Sequence, residues 1–230
     1  MPAQRAESGR SAHLEMKVTL ALPPLEAYEP GADLALQGEA ASWVYYVAKG
    51  LVKFTHADPD GHESILELAF GGELVGAQSA LLGEECLETV TTVARSRLAR
   101  WRASEFTARF GHDPAFACEV SRLLCRRICQ LRGLVFELAR LTAEQRFDAL
   151  LRRWAESEAA GDGNSPCECD LPLTRDELAS VLSISRCHLS RILTGMEERG
   201  LIKRGARLIP VVSAVQRKPG VLSVSAAICR

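Results

Sequence analysis

One stretch of the sequence decides the fold of the C-terminal part of the chain: Leu173–Arg207, which reads LTRDELASVLSISRCHLSRILTGMEERGLIKRGAR. It predicts a helix, a tight turn, a second helix and a short hairpin. Thr174 followed by Glu177 is the T-x-x-E pattern of a capping box, which gives the first helix a defined start. Residues 183–185 end that helix, and Ser185 supplies a cap for the next one.

Both predicted helices carry one narrow apolar face. In the first helix it consists of Leu178, Ala179 and Leu182. The second helix repeats apolar residues at i, i+3, i+4 and i+7, namely Leu189, Ile192, Leu193 and Met196. This layout is typical of a helix-turn-helix, whose second helix lies in the DNA major groove with its N-terminal residues at the base edges. The hairpin that follows turns near Gly205 and predicts the wing of a winged helix.

The charge of this stretch also favours DNA binding. Residues 186–207 contain six cations and two acids, whereas the whole chain is balanced, with 28 Lys+Arg and 29 Asp+Glu. A local basic segment is suited to contacts with phosphate. The alternative is a helical hairpin of an enzyme core with a solvated charged face. We predict DNA contacts from Thr174, Arg175, Ser185, Arg186, Cys187, His188, Ser190, Arg191, Lys203 and Arg204.

Length and composition set the limits of the remaining interpretation. The chain has 230 residues, enough for one or two domains, with 47% hydrophobic and 25% charged residues. No apolar run approaches the ~18 residues of a membrane span. The first 13 residues lack the apolar segment of a signal peptide. Eight cysteines then read as cytoplasmic thiols rather than disulfides, and we expect a cytoplasmic protein with no membrane partner.

Strand-like segments punctuated by glycine fill residues 34–101. Trp43–Val47 and Leu51–Phe54 are β-rich runs, and Asp58–Gly61 is a strong turn signal between strands. Short strands at regular spacing predict a small antiparallel barrel or sandwich.

At Pro114 the apolar spacing becomes helical and predicts a long amphipathic helix. From Ala117 onward, apolar residues recur every three or four positions, with one stutter at Ile128. Such a seam predicts a dimer contact between two copies of the helix, and the alternative is packing against the helix's own β-domain. The predicted seam consists of Val120, Leu124, Ile128, Leu131, Val135 and Leu138.

The ordered set of segments resembles the Crp/Fnr family, which comprises the cyclic-AMP receptor and the fumarate-nitrate reduction regulators. The residues that carry the resemblance are Gln37–Glu39, Tyr45–Val47 with Gly50, Asp60-Gly61, Gly72–Gly76, Leu173–Leu178, Ser190–Leu193 and Gly200–Ile202.

This resemblance implies an α+β fold. It has an N-terminal antiparallel β-roll (a jelly roll like that of cyclic-nucleotide-binding domains), a long dimerisation helix and a C-terminal winged helix-turn-helix. The corresponding segments are a lead-in at 1–19, the β-roll at 20–112, the dimerisation helix at 113–141, the DNA-binding domain at 142–212 and a tail of unknown role at 213–230. The implied function is a homodimeric, non-catalytic regulator that binds a palindromic DNA operator and contacts RNA polymerase.

The predicted effector pocket departs from that of the cyclic-nucleotide-binding members. The resemblance places a ribose-binding glutamate at the position of Ala77, and no Lys or Arg occurs between Lys53 and Arg95 to bind the phosphate. That interval holds eight acidic residues instead, and a buried phosphate without a cation is strongly disfavoured. We therefore predict an effector other than a classical cyclic nucleotide such as cyclic AMP. The degenerate pocket comprises Gly72, Glu73, Leu74, Gly76, Ala77, Glu88 and Thr89.

Cysteines and histidines leave several cofactor hypotheses open. No cysteine precedes Cys86, so the N-terminal iron–sulfur cluster of the oxygen-sensing members is not expected. Three cysteines share one face of the long helix and are either metal ligands or small apolar residues: Cys118, Cys125 and Cys129. Haem binding and thiol redox chemistry stay open as modes of sensing.

A second function class is a cupin-like, metal-dependent β-barrel enzyme with a helical appendage. His56 and His62 flank the Asp58–Gly61 turn and suggest imidazoles that face each other across a hairpin. Their spacing is not the H-x-H pattern that points two imidazoles to one side of a strand, so solvated histidines are favoured.

The recognition helix departs from the family at Cys187. In the family a glutamate commonly stands at this position and accepts a hydrogen bond from a cytosine amino group. A thiol cannot replace that carboxylate, which predicts relaxed discrimination at one base pair, while Arg191 still reads guanine. The alternative is a redox switch, in which oxidation or alkylation of Cys187 prevents DNA binding through bulk and charge in the groove.

Overall fold

The computed structural model describes residues 20–162, 171–204 and 208–210 of the chain. The N-terminal half consists of two four-stranded antiparallel sheets. The strands are β1 (Glu26–Tyr28), β2 (Asp33–Ala35), β3 (Trp43–Lys49), β4 (Val52–Ala57), β5 (Glu63–Ala69), β6 (Leu74–Val75), β7 (Thr89–Thr92) and β8 (Ser96–Arg102). One sheet has the order β1-β8-β3-β6 and the other β2-β7-β4-β5. The predicted β-roll is confirmed.

The two sheets enclose an apolar core of alternating inward-facing residues, including Val47, Val52, Phe54 and Leu98. Gly50, between β3 and β4, shows why glycine punctuates this region. Its φ is +117°, and an added Cβ would lie 2.8 Å from the Cα of Ser96, so no side chain fits there.

Three helices accompany these strands: α1 (Ala77–Leu82) lies between β6 and β7, and α2 (Ala103–His112) and α3 (Pro114–Arg140) follow β8. The long helix α3 is confirmed, and it begins where Asp113 accepts hydrogen bonds from the backbone N–H groups of Ala115 and Phe116. The sequence interpretation did not anticipate α1 or α2. Both are short. Helix α1 lies inside the segment predicted as strands and turns, and α2 follows directly after the last strand of that segment.

Two adjacent faces of α3 carry apolar residues, and this corrects the predicted seam at one position. Val120 is fully buried with Phe116 and Leu123 in a core that includes Trp101 and Phe106 of the β-roll and α2. It therefore packs against its own subunit rather than in an exposed seam. The remaining seam residues continue at heptad spacing. Leu124 is partly buried at the edge of the same core, and Ile128, Leu131, Val135 and Leu138 are exposed. The irregular spacing at Ile128 disappears when the buried face and the exposed row are treated as two separate apolar faces.

The C-terminal part contains α4 (Ala143–Asp162), α5 (Arg175–Val181), α6 (Arg186–Glu198), β9 (Ile202–Arg204) and β10 (Leu208–Pro210). Strands β9 and β10 pair antiparallel after α6, so the winged helix-turn-helix is confirmed. The apolar residues predicted for both helices are buried in its core: Leu178, Ala179, Leu182, Leu189, Ile192, Leu193 and Met196.

The C-terminal part packs directly on the β-roll. Leu51 and Leu68 of the β-roll lie in the same buried cluster as Leu178 of α5 and Trp154 of α4. Arg146 of α4 donates hydrogen bonds to the carbonyls of Leu141 (2.9 Å) and Leu182 (2.7 Å), which ties the end of α3 to the helix-turn-helix.

Three predicted features lie outside the described residues, namely the lead-in at 1–19, the turn at Gly205 and the tail at 213–230. Within the described ranges, no helix combines the length and the apolar character that crossing a membrane requires.

Candidate nucleic-acid interface

The first helix of the motif, α5, begins at the predicted capping box. The hydroxyl of Thr174 accepts a hydrogen bond from the N–H of Glu177 (3.2 Å), and the Glu177 carboxylate accepts one from the N–H of Thr174 (2.9 Å). The other oxygen of Glu177 binds Nζ of Lys53 on β4 at 2.7 Å. Burial alone would raise the pKa of Glu177, but the hydrogen bonds from Lys53 and Thr174 outweigh it and lower the pKa.

The second helix, α6, begins at Ser185, whose hydroxyl accepts a hydrogen bond from the N–H of His188 at 3.2 Å. The buried row of Leu189, Ile192, Leu193 and Met196 turns the opposite face of α6 to solvent. The predicted DNA-contacting residues with described side chains are all exposed, namely Thr174, Arg175, Ser185, Arg186, Cys187, His188, Ser190 and Arg191. Both hypotheses for Cys187 need an accessible side chain, and it is accessible.

An ion pair that the sequence interpretation missed lies at the start of α6. Nε of Arg186 binds Oδ1 of Asp176 on α5 at 2.5 Å, and both side chains are well exposed. Asp176 is the second residue of α5 and Arg186 the first of α6, so the turn brings two helix N-termini together. In the sequence, this contact is indicated only by an acid at the start of α5 and a base at the start of α6.

Strand β9 contains the two remaining predicted contacts, Lys203 and Arg204, whose backbone pairs with Ile209 and Leu208 of β10. The hairpin therefore carries basic residues beside α6, as in a wing.

The predicted effector pocket is engaged by a cation from outside the β-roll. Arg127 of α3 forms ion pairs with Glu73 and with Glu67 of β5, the latter at 2.5 Å. Burial raises the pKa of both carboxyl groups, and the charge of Arg127 opposes that rise. Arg127 lies outside the interval between Lys53 and Arg95, so the absence of a cation in that interval does not predict this contact.

The other predicted pocket residues have structural contacts. Gly76 has φ +77°, and an added Cβ would lie 2.8 Å from the carbonyl oxygen of Trp43. Ala77 is buried in the core under α1, and Leu74 packs against the same cluster. Thr89 accepts a hydrogen bond from the N–H of Gln37 at 3.2 Å. Gly72 has φ +95° at a turn before β6, and Glu88 precedes β7.

The metal-site candidates are not brought together. In the described part of the chain, Asp58, Asp60 and His62 form the one group of three ligand-type side chains whose donor atoms lie within 4.8 Å, and all three are exposed. On α3, Cys118 and Cys125 are exposed and Cys129 is half-buried. His56 and His62 are both exposed, in line with the favoured solvated histidines, and the alternative in which they face each other is not seen because His56 pairs with Ser64 in the β4–β5 register.

Two family models match the chain in the order that the fold has. A cyclic nucleotide-binding domain matches residues 25–113, and a Crp-like helix-turn-helix domain matches residues 145–214. The chain belongs to the Crp/Fnr family of transcription regulators. A Crp/Fnr regulator is a DNA-binding protein and not an enzyme, so the alternative of a cupin-like metalloenzyme is wrong.

Relatives of this Crp/Fnr regulator are transcription regulators. The nitrogen fixation regulation protein FixK of Azorhizobium caulinodans is 27% identical over 196 residues, which cover 85% of this chain and 76% of the relative. The cAMP-activated global transcriptional regulator CRP of Salmonella typhimurium is 26% identical over 188 residues, covering 81% and 89%. The structure of FixK2 from Bradyrhizobium japonicum has a TM-score of 0.67 at 17% identity, covers 82% of this chain and 92% of that one, and shows the same fold.

Proposed function

We propose that this Crp/Fnr regulator binds a palindromic DNA operator as a homodimer, with one recognition helix α6 in each half-site. The observation that carries the proposal is the combination of two exposed surfaces on one chain. One is the polar and basic face of α6, and the other is the apolar row on α3. The first surface suits a major groove, and the second suits a copy of itself.

The proposed DNA contacts fall into two chemical groups. Arg186, Cys187, Ser190 and Arg191 lie on the exposed face of α6 and are proposed to meet base edges. The flanking residues are proposed to contact phosphates, which position the motif without reading sequence: Thr174, Arg175, Ser185, His188, Lys203 and Arg204.

The proposed dimer contact is the exposed apolar row on α3. Ile128, Leu131 and Val135 are 51%, 39% and 66% exposed, and large aliphatic side chains at heptad spacing on one helix face favour a partner helix. Dimerisation multiplies operator affinity because two half-sites are then held at once.

Two further parts of the proposal concern other partners. RNA polymerase is proposed as a protein partner, on family grounds alone. A classical cyclic nucleotide is not the proposed effector, because the acidic residues of the β-roll already engage Arg127 and would repel a phosphate.

Selection from a random DNA library tests the operator proposal. The wild type is expected to enrich a palindrome whose half-site centres lie about one helical turn apart. Arg191→Ala is expected to enrich none, while Arg132→Ala, on the exposed side of α3, serves as the matched control. Failure of the wild type to enrich any two-fold symmetric sequence would sink the proposal.

A further inference from the structure

A row of side chains on α3 faces the β-roll, and one member of that row is charged. Phe116, Val120 and Leu123 begin the row and are buried in an apolar core. Arg127 continues it, four residues after Leu123 and seven after Val120. Only 15% of its side chain is exposed, so this guanidinium is largely withdrawn from water. A cation in such a place needs specific partners.

The partners of Arg127 lie on strands β4 and β5 of one sheet and in the turn that precedes β6 of the other sheet. Its Nη2 binds Oε1 of Glu67 at 2.5 Å, and its Nη1 binds Glu73. Its guanidinium lies 5.2 Å from the centre of the Phe54 ring on β4, a cation–π contact. One turn further along α3, Nε2 of Gln130 donates to the other oxygen of Glu73 at 3.4 Å. Two ion pairs, a ring and a hydrogen bond therefore hold α3 to the β-roll at one point.

The carboxyl groups around Arg127 outnumber it. Glu67 and Glu73 face it directly, and the charge of Glu88 interacts with those of Glu67 and Arg127. The second oxygen of Glu67 is buried with no hydrogen-bond partner among the described residues. Removing Arg127 would leave these buried acids without their main counter-charge, which strongly favours either protonation or separation of α3 from the β-roll.

We propose that Arg127 is a built-in counter-ion that neutralises the acidic cluster of Glu67, Glu73 and Glu88 and thereby holds α3 in the DNA-binding arrangement without a small-molecule effector. The inference rests on the proposed operator binding and deepens it. A cation supplied by α3 occupies the acidic site of the β-roll where a sensor would take up a ligand.

The β4–β5 hairpin connects this cation to the DNA-binding part. Phe54 and Glu67 are paired across the two strands and face Arg127. The neighbouring pair, Lys53 and Leu68, faces the opposite side because side chains alternate along a strand. Lys53 binds Glu177 of α5 there.

Two further contacts strengthen this second connection. Leu68 lies in the same buried cluster as Leu178 of α5. The backbone N–H of Ile65 on β5 donates to the hydroxyl of Ser180 on α5 at 2.9 Å. The hairpin therefore contacts α3 on one face and the helix-turn-helix on the other. We expect the loss of Arg127 to change the position of α6.

Chemical rescue tests the proposal. Arg127→Ala removes the guanidinium and opens space for a small one. We expect this variant to bind the selected operator about tenfold or more weakly than the wild type. Methylguanidinium chloride at millimolar concentration is expected to restore most of the affinity, whereas potassium chloride at equal ionic strength is not. The same additive is expected to raise the unfolding temperature of Arg127→Ala and leave that of the wild type unchanged.

The controls separate this idea from a general loss of fold or charge. Arg132→Ala removes an exposed arginine of the same helix and is expected to show neither the loss nor the rescue. Arg127→Lys and Arg127→Gln are milder changes that cover the case in which Arg127→Ala does not fold. The lysine variant, which keeps the charge, is expected to lose less affinity, and equal loss in both contradicts the proposal.

Two outcomes would overturn the inference outright. One is operator affinity of Arg127→Ala equal to that of the wild type, and the other is a loss of affinity that methylguanidinium does not reverse. If the wild type itself selects no operator, the proposed function fails instead. The unfolding temperatures with and without methylguanidinium still decide the role of Arg127 in that case.

Discussion

Lys53 of β4 and Glu177 of α5 form an ion pair of 2.7 Å that joins the β-roll to the first helix of the helix-turn-helix. Glu177 also completes the capping box at the start of α5. A single carboxylate therefore supports both the beginning of a helix and its docking on the other domain.

Lys53→Met is expected to destabilise the protein by about 1 kcal/mol, more than a fully exposed pair would contribute, because both side chains are mostly buried. The pKa of Glu177 is lowered in the folded state, so this contribution is present at pH values above its ordinary 4.5 and is lost as the pH falls through the lowered value. Urea unfolding at pH 7 and at strongly acidic pH measures both effects. Lys53→Arg is the control, and an equal deficit at both pH values would contradict the assignment.

Leu131→Glu is expected to convert the proposed dimer into monomers, because it would place two like charges at the proposed contact between α3 helices. Sedimentation velocity measures the assembly state directly. Cys125→Glu introduces the same charge at an exposed position of α3 outside the apolar row and is expected to leave the proposed dimer intact. An unchanged dimer in Leu131→Glu would show that this row is not the contact.

Cys187→Glu is expected to sharpen discrimination at one base pair in each half-site by about 1–3 kcal/mol, since a carboxylate accepts a hydrogen bond from cytosine. Affinities for operators with each of the four base pairs at every position measure the effect. The added negative charge weakens binding to all of them equally, so the difference between base pairs is the informative quantity. A uniform loss without a change in preference would contradict the assigned contact.

Cyclic AMP and cyclic GMP are expected to give no saturable isotherm in calorimetric titrations at micromolar concentration. The reason is electrostatic, because the cyclic phosphate would meet Glu67, Glu73 and Glu88 while Arg127 is already engaged. CRP of Salmonella typhimurium, described as cAMP-activated, provides the positive control. Binding of one nucleotide per subunit would refute the expectation.

Glu88→Gln is expected to stabilise the protein at neutral pH and to have no effect at acidic pH. Burial raises the pKa of Glu88, the charge of Glu67 adds to the rise, and His56 and Arg127 oppose it. A raised pKa in the folded state means that wild-type stability falls as the pH rises through that value. Thermal unfolding from pH 4 to pH 8 measures the difference, and Glu84→Gln on the exposed surface is the control.

The sequence predicts correctly the helices whose caps and apolar spacing lie within one short segment. The capping box at Thr174, the cap at Ser185 and the buried residues of α6 all follow from spacing within one segment. These features were confirmed because helix starts and amphipathic faces are local properties.

Contacts between distant segments escaped prediction. The sequence does not reveal the ion pairs of Arg127, because Glu73 and Glu67 lie 54 and 60 residues away along the chain. Its helical spacing from Val120 and Leu123 indicates only that it faces the same side of α3 as they do. Val120 was assigned to the seam because two neighbouring apolar faces read as one in a linear pattern. The pair of Asp176 and Arg186 depends on a turn geometry that composition does not encode.

The exposed row on α3 also links the DNA-binding activity of the regulator to its concentration in the cell. If the proposed dimer is held mainly by five aliphatic side chains, namely Leu124, Ile128, Leu131, Val135 and Leu138, it is expected to dissociate on dilution. Below its dissociation constant, the amount of dimer grows as the square of the protomer concentration, so doubling synthesis raises it about fourfold. The abundance of the protein then becomes the signal, and synthesis and degradation set its strength.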